Sequence, residues 1–126
     1  MDEHQKLVNL LIGALQKDGY EVLRAVGANY PDPYTIGRHE PDIIARDSTG
    51  LLVIGEAKTH DDISSERSQQ QYLDFSSRVM SEGMLKGRPV PLHIIVPEGS
   101  SNLLRQTLSI LGLSTKIGSK IFIWVE

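Results

Sequence analysis

Three residues in this chain have the types and spacing to do chemistry together: Asp42, Glu56 and Lys58. They lie in the stretch EPDIIARDSTGLLVIGEAK, residues 40–58, which reads as an antiparallel hairpin. Ile43 to Asp47 is one arm and Leu51 to Lys58 the other, joined by Ser48-Thr49-Gly50. Glycine at the last loop position suits a type I turn followed by a left-handed residue. That loop sets Asp47 opposite Leu51 and, counting back, Asp42 opposite Glu56. Directly opposed residues share a face about 4.5–5.5 Å apart, and Lys58, two beyond Glu56, points the same way. Carboxylates so close repel unless a cation lies between them, and a divalent metal, which prefers oxygen ligands, meets that need. A two-residue loop, Ser48-Thr49, would instead set Asp42 opposite Gly55, on the other face from Glu56. The plain alternative is a surface hairpin with a Glu/Lys pair at its frayed end.

The second arm is apolar on both sides, with Leu52 and Ile54 on one and Leu51, Val53 and Ala57 on the other. That pattern belongs to an interior strand, so the polar groups at its end are expected to be partly desolvated. On these residues the chain resembles the PD-(D/E)xK nuclease superfamily: Pro41-Asp42 followed by Glu56-Ala57-Lys58. The likeness is greatest to small Holliday-junction resolvases and other restriction-endonuclease-like enzymes. The resemblance implies that Asp42, Glu56 and the Ala57 carbonyl hold Mg²⁺ or Mn²⁺, while Lys58 positions or activates the attacking water. It also implies a glutamine on the following helix, which falls on Gln71 with Gln70 as neighbour. A first-helix glutamate is common in such enzymes, but the usual spacing lands on Val8. One turn earlier stand His4, on the Val8 face, and Glu3, the nearby carboxylate and the candidate ligand; Glu40 is a weaker substitute.

These groups need a scaffold. Apolar residues between Leu7 and Leu15 predict a helix from about Asp2 to Lys17, ended by Asp18-Gly19. Tyr20 to Val26 reads as a strand, with Tyr20, Val22 and Arg24 on one face and Glu21, Leu23 and Ala25 on the other. Gly27 to Glu40 is a long loop rich in Gly, Pro and Asn that leads into Asp42. Its Tyr30, Tyr34, Arg38 and His39 are candidates for touching a substrate backbone. Arg38 is the choice among them, because guanidinium groups match phosphate geometry. Thr59, next to Lys58, joins Arg38 and Gln70 as a candidate substrate contact.

Ser64 or Ser65 caps a second helix running to about Met80. A loop carrying Lys86 and Arg88 follows, then a buried strand, Leu92 to Val96, closed by Pro97. Ser100 or Ser101 caps a third helix ending at Gly112, and Lys120 to Glu126 is the last strand. The expected fold is α/β, one domain over residues 1–126, with helices flanking a mixed sheet. The resemblance narrows this to a restriction-endonuclease-like αβββαβ core over about residues 1–97.

Composition limits the functions open to the chain. At 126 residues, with 40 % hydrophobic and 23 % charged content, it is sized for one core. Having no cysteine excludes disulfides, thiolate zinc sites and a cysteine nucleophile. The acidic, polar start is unlike a signal peptide, and no apolar run approaches the ~20 residues of a membrane helix. A cytoplasmic protein is expected, without membrane partners. His39 and His60 lack partners at metal-ligand spacing, His93 sits within an apolar strand as a packed or hydrogen-bonded histidine, and there is no glycine-rich phosphate loop.

The net charge of −3, from 13 basic and 16 acidic residues, weighs against a tight stand-alone nucleic-acid binder. Two function classes follow. One is a metal-dependent DNA endonuclease acting on double-stranded or branched DNA, with the homodimer that the resemblance implies. The other is a weak or inactive nuclease-fold module that binds or assembles with a partner protein. RNA as substrate has no sequence signature in its favour.

Overall fold

A computed structural model describes residues 2–126. Helix α1 (Glu3–Lys17) is followed by strands β1 (Glu21–Ala25), β2 (Ile43–Arg46) and β3 (Leu52–Ala57). Helix α2 (Glu66–Ser76), strand β4 (Leu92–Val96), helix α3 (Ser101–Ile110) and strand β5 (Ile121–Val125) complete the chain. The five strands form one mixed sheet in sequential order, antiparallel from β1 to β3 and parallel from β3 to β5. Both parallel crossovers step the same way across the sheet, so α2 and α3 lie together on one face, where they pack over Ile44, Ile54 and Ile94. Helix α1 covers the other face through Leu7, Leu11 and Leu15, against Ile43, Val53 and Ala57. No helix among the described residues is long and apolar enough to cross a membrane.

The hairpin register follows the three-residue loop. Ile43 faces Gly55 and Arg46 faces Leu52, and one step further sets Asp42 against Glu56. Gly50 takes the left-handed position at φ +93°. Asp47 Oδ1 accepts hydrogen bonds from the Thr49 and Leu51 N–H groups at 2.8 and 3.1 Å and from the Thr49 hydroxyl. These bonds hold the Asp47 carboxyl below the usual range and fix the turn.

Two elements depart from expectation. A bulge between Val22 and Arg24 breaks the alternation of β1. Val22 and Ala25, expected on opposite faces, therefore both pack in the α1 layer. Helix α2 ends at Ser76 rather than near Met80. There the Ser77 hydroxyl turns back to the Leu73 and Asp74 carbonyls, and Val79 bridges to Pro89. At the helix starts, Ser65 caps α2 by accepting from Ser68 N–H, and Ser100 holds the N-cap position of α3.

A Cβ added at Gly55 would lie 2.9 Å from the Cβ of Ile43, its partner on β2, and 3.2 Å from Leu11 Cδ2 of α1. A Cβ at Gly13, on the exposed side of α1, meets nothing within 4 Å. Gly55→Ala is therefore expected to destabilise by about 1–3 kcal/mol through overpacking. Gly13→Ala should stabilise by about 1 kcal/mol through helix propensity. Urea unfolding of the two variants measures both, and equal effects would refute the close approach.

Candidate active site

The acid pair is positioned by the end of a sheet ladder. Past Ile43 the chain leaves β2, and the Asp42 carboxylate takes over the pairing: its Oδ2 accepts from Ala57 N–H at 2.9 Å. Asp42 N–H donates to Glu56 Oε1 at 3.2 Å, and the Asp42 carbonyl accepts from Val26 N–H at 3.0 Å. Asp42 is thus held by strands on both sides while its carboxylate meets that of Glu56.

The face shared with Ile54 directs Glu56 and Lys58 toward α2. Lys58 N–H is anchored on the Ile95 carbonyl at 3.0 Å, and its ammonium donates to Gln71 Oε1 from α2. The same ammonium lies 3.6 Å from Glu56 Oε2 and 3.6 Å from Asp62 Oδ2, and 5.9 Å from the centre of the Tyr72 ring. Tyr72 is fixed by donating its hydroxyl hydrogen to the Ile63 carbonyl at 2.8 Å. Glu56, Lys58 and Gln71 are only 2 %, 3 % and 3 % exposed, whereas the Asp62 side chain is 48 % exposed and opens the cluster to solvent.

Burial pushes the Glu56 carboxyl well above the ordinary glutamate value, and the Asp42 charge pushes it further; Lys58 opposes both. Against Asp42, Glu56 and Asp62 stand one ammonium, from Lys58, and the His4 ring at Asp42. Among the described residues, no three His, Cys, Asp or Glu side chains gather into a group able to hold a metal ion. The two carboxylates nevertheless offer the hard oxygen donors that Mg²⁺ or Mn²⁺ takes. Magnesium commonly takes only one or two carboxylates and keeps several waters.

Other candidates are placed elsewhere. From α1 it is His4, not Glu3, that meets the pair: its Nε2 lies 3.1 Å from Asp42 Oδ2. Glu3, its neighbour in the first turn, is exposed. The bond to Asp42 raises the His4 pKa above its ordinary value. Arg38 is committed to Asp74 on α2, with Nε and Nη2 each donating at 3.0 Å, so it clamps the long loop instead of reaching the acids. Thr59 and Gln70 are half-buried beside the cluster in sequence, and Glu40 is exposed.

Sequence reasoning passed over His4 as a partner of Asp42, although its phase with Val8 placed it on the inner face. It also passed over Asp62, four residues beyond Lys58 and held by a hydrogen bond from Ser65. Compared with models of known protein families, with curated proteins and with solved structures, the chain matches none.

The raised Glu56 and His4 values have the same sign as stability terms. Both favour the protonated folded form, so their contribution is complete below the unfolded values of 4.5 and 6.5 and is lost as pH rises through the folded values. Metal-free protein is expected to melt at lower temperature at about pH 9 than at about pH 5. Glu56→Gln should flatten that decline, and millimolar Mn²⁺ should raise the melting temperature at the higher pH for wild type only. Calorimetric melts across this range check it, and an unchanged decline in Glu56→Gln would count against the buried acid pair.

Proposed function

We propose that this chain is a metal-dependent DNA endonuclease of the PD-(D/E)xK type, built on a restriction-endonuclease-like core. The observation that carries the reading is the opposition of Asp42 and Glu56 across β2 and β3, with the Lys58 ammonium 3.6 Å from Glu56 and held by Gln71. The order of the first six elements agrees with the αβββαβ core that the motif implies.

In this reading Asp42, Glu56 and the Ala57 carbonyl hold Mg²⁺ or Mn²⁺. A bound divalent ion supplies charge stabilisation for the phosphorane and acidifies the attacking water. Lys58 orients that water through its ammonium hydrogens, and Gln71 fixes the ammonium so that no reorganisation is needed at the moment of attack. Tyr72 and the α2 face exclude bulk solvent from Lys58, which strengthens its interaction with a developing negative charge. His4 holds one Asp42 oxygen and thereby orients the other. Thr59 and Gln70, partly exposed beside this cluster, are the proposed substrate contacts. The substrate is double-stranded or branched DNA. Cutting a symmetric junction calls for two copies of the chain, which act as a homodimer.

A second reading is favoured by the net charge of −3: a nuclease-fold module that binds or assembles with a partner protein and does not cut. Incubation with linear, branched and single-stranded DNA, with Mn²⁺ and with chelator, separates the two. Cleavage with Mn²⁺ that stops with chelator is expected. Lys58→Met should lower turnover by about 10²–10⁴-fold while Mn²⁺ binding persists. Asp42→Asn and Glu56→Ala should lose both. Cleavage by Glu56→Ala at the wild-type rate would sink the assignment, and metal binding without cleavage would favour the module.

A further inference from the structure

At the edge of the sheet away from Glu56, where β4 and β5 begin, the fold gathers positive charge. Arg78, Lys116 and Lys120 line one cleft of about 520 Å³, together with Ser76 and Ser119, and no carboxylate lines it. Of the ten other Lys and Arg side chains, four pair with acids: Lys6 with Glu126, Arg38 with Asp74, Arg46 with Glu21, and Lys58 with Glu56 and Asp62. Arg78, Lys116 and Lys120 form no ion pair among the described residues.

The two ammoniums are aimed by main-chain carbonyls. Lys116 donates to the Ser76 carbonyl at 3.2 Å. Lys120 donates to the Arg78 carbonyl at 2.8 Å and to that of Val90. Those bonds help close the C-terminal end of α2, where cations are favoured, but carbonyl dipoles orient a charge without neutralising it. Burial above all, and then the neighbouring Lys116 charge, lower the Lys120 pKa to about 8.

Hydrogen-bond capacity is left over. An ammonium carries three donors, so Lys116 keeps two and Lys120 keeps one. The Arg78 guanidinium has no hydrogen-bond partner among the described residues. Ser76 is 1 % exposed and its hydroxyl has no partner either. Val79, 44 % exposed, and Pro89 add an apolar wall to the same cleft.

We propose that this cleft binds a phosphate ester, its anionic oxygens on Arg78, Lys116, Lys120 and the Ser76 hydroxyl and its uncharged part against Val79 and Pro89. Charge-assisted donors of this kind suit phosphate, and Arg78 can engage it bidentately. The site is separate from the acid pair and needs no divalent metal. The same group could be a backbone phosphate of a nucleic-acid strand or that of a free nucleotide.

The test titrates isotope-labelled full chain in chelator with inorganic phosphate, a nucleoside 5′-monophosphate and a short single-stranded oligonucleotide, following backbone amides by NMR. Shifts confined to residues 76–79 and 116–120 are expected. Affinity should fall by at least about tenfold in Arg78→Glu and in Lys116→Glu and stay unchanged in Glu56→Gln. Lys120→Ala would uncover two carbonyls and endanger folding, so Arg78→Glu, whose side chain anchors nothing, carries the test, with a melting curve to show that it is folded. A strand source shows as tighter oligonucleotide binding with steep salt dependence, and a free nucleotide as the monophosphate binding at least as well. Absence of shifts with all three probes, or undiminished binding in a folded Arg78→Glu, would overturn the site whatever the outcome at Glu56.

Discussion

The geometry of the acid pair depends on a turn at the opposite end of its hairpin. Asp47 binds the backbone of its own loop through a single carboxylate oxygen and leaves Gly50 to make the left-handed step. The register set there runs through Arg46–Leu52, Ala45–Val53, Ile44–Ile54 and Ile43–Gly55 to the acids. A slip of one residue would send the carboxylates to opposite faces of the sheet. Slippage is also resisted by the core, because Ile44 and Ile54 belong to the α2–α3 layer while Ile43 and Val53 belong to the α1 layer. Exchanging the faces would repack both layers at once.

Burial then creates a conflict between stability and chemistry. Glu56 stands in an interior strand, beside another carboxylate and under a helix, where ionisation is disfavoured. The partial remedies come from three different elements: Lys58 from the end of β3, His4 from the first turn of α1, and Gln71 from α2, which holds the ammonium. Leu11 of α1 packs against Gly55, and His4, two turns earlier on the same helix, reaches Asp42. A small residue in the middle of a strand and a histidine at a helix start thus belong to one arrangement.

Much of this was legible in the sequence, and the misses have physical causes. The hairpin register could be read because loop length, glycine position and apolar alternation agree. The bulge at Leu23 could not, since an extra residue in a strand leaves no side-chain mark beyond a shifted phase. Val79 and Met80 continue the helical apolar period past Ser76, so periodicity alone overextends α2; their true partners lie across a loop, at Pro89 and Arg88. Glu3 was chosen by chemical type where helical phase favoured His4. Gln71 was expected only from the nuclease resemblance, and the basic cleft, built from Arg78, Lys116 and Lys120, joins residues too far apart in the chain to show as a run.

The two halves of the sheet also differ in how much chain must close to form them. The β2–β3 hairpin is joined through three loop residues, while β3 meets β4 only after all of α2 and its flanking loops have been spanned. Loop closure is entropically cheaper over the shorter span, and hairpins form within microseconds. In folding time, Asp42 and Glu56 can therefore meet while still hydrated, and their dehydration falls on the later docking of α2 and β4. The repulsion between them is thus first felt late in assembly, after the register that causes it has been settled.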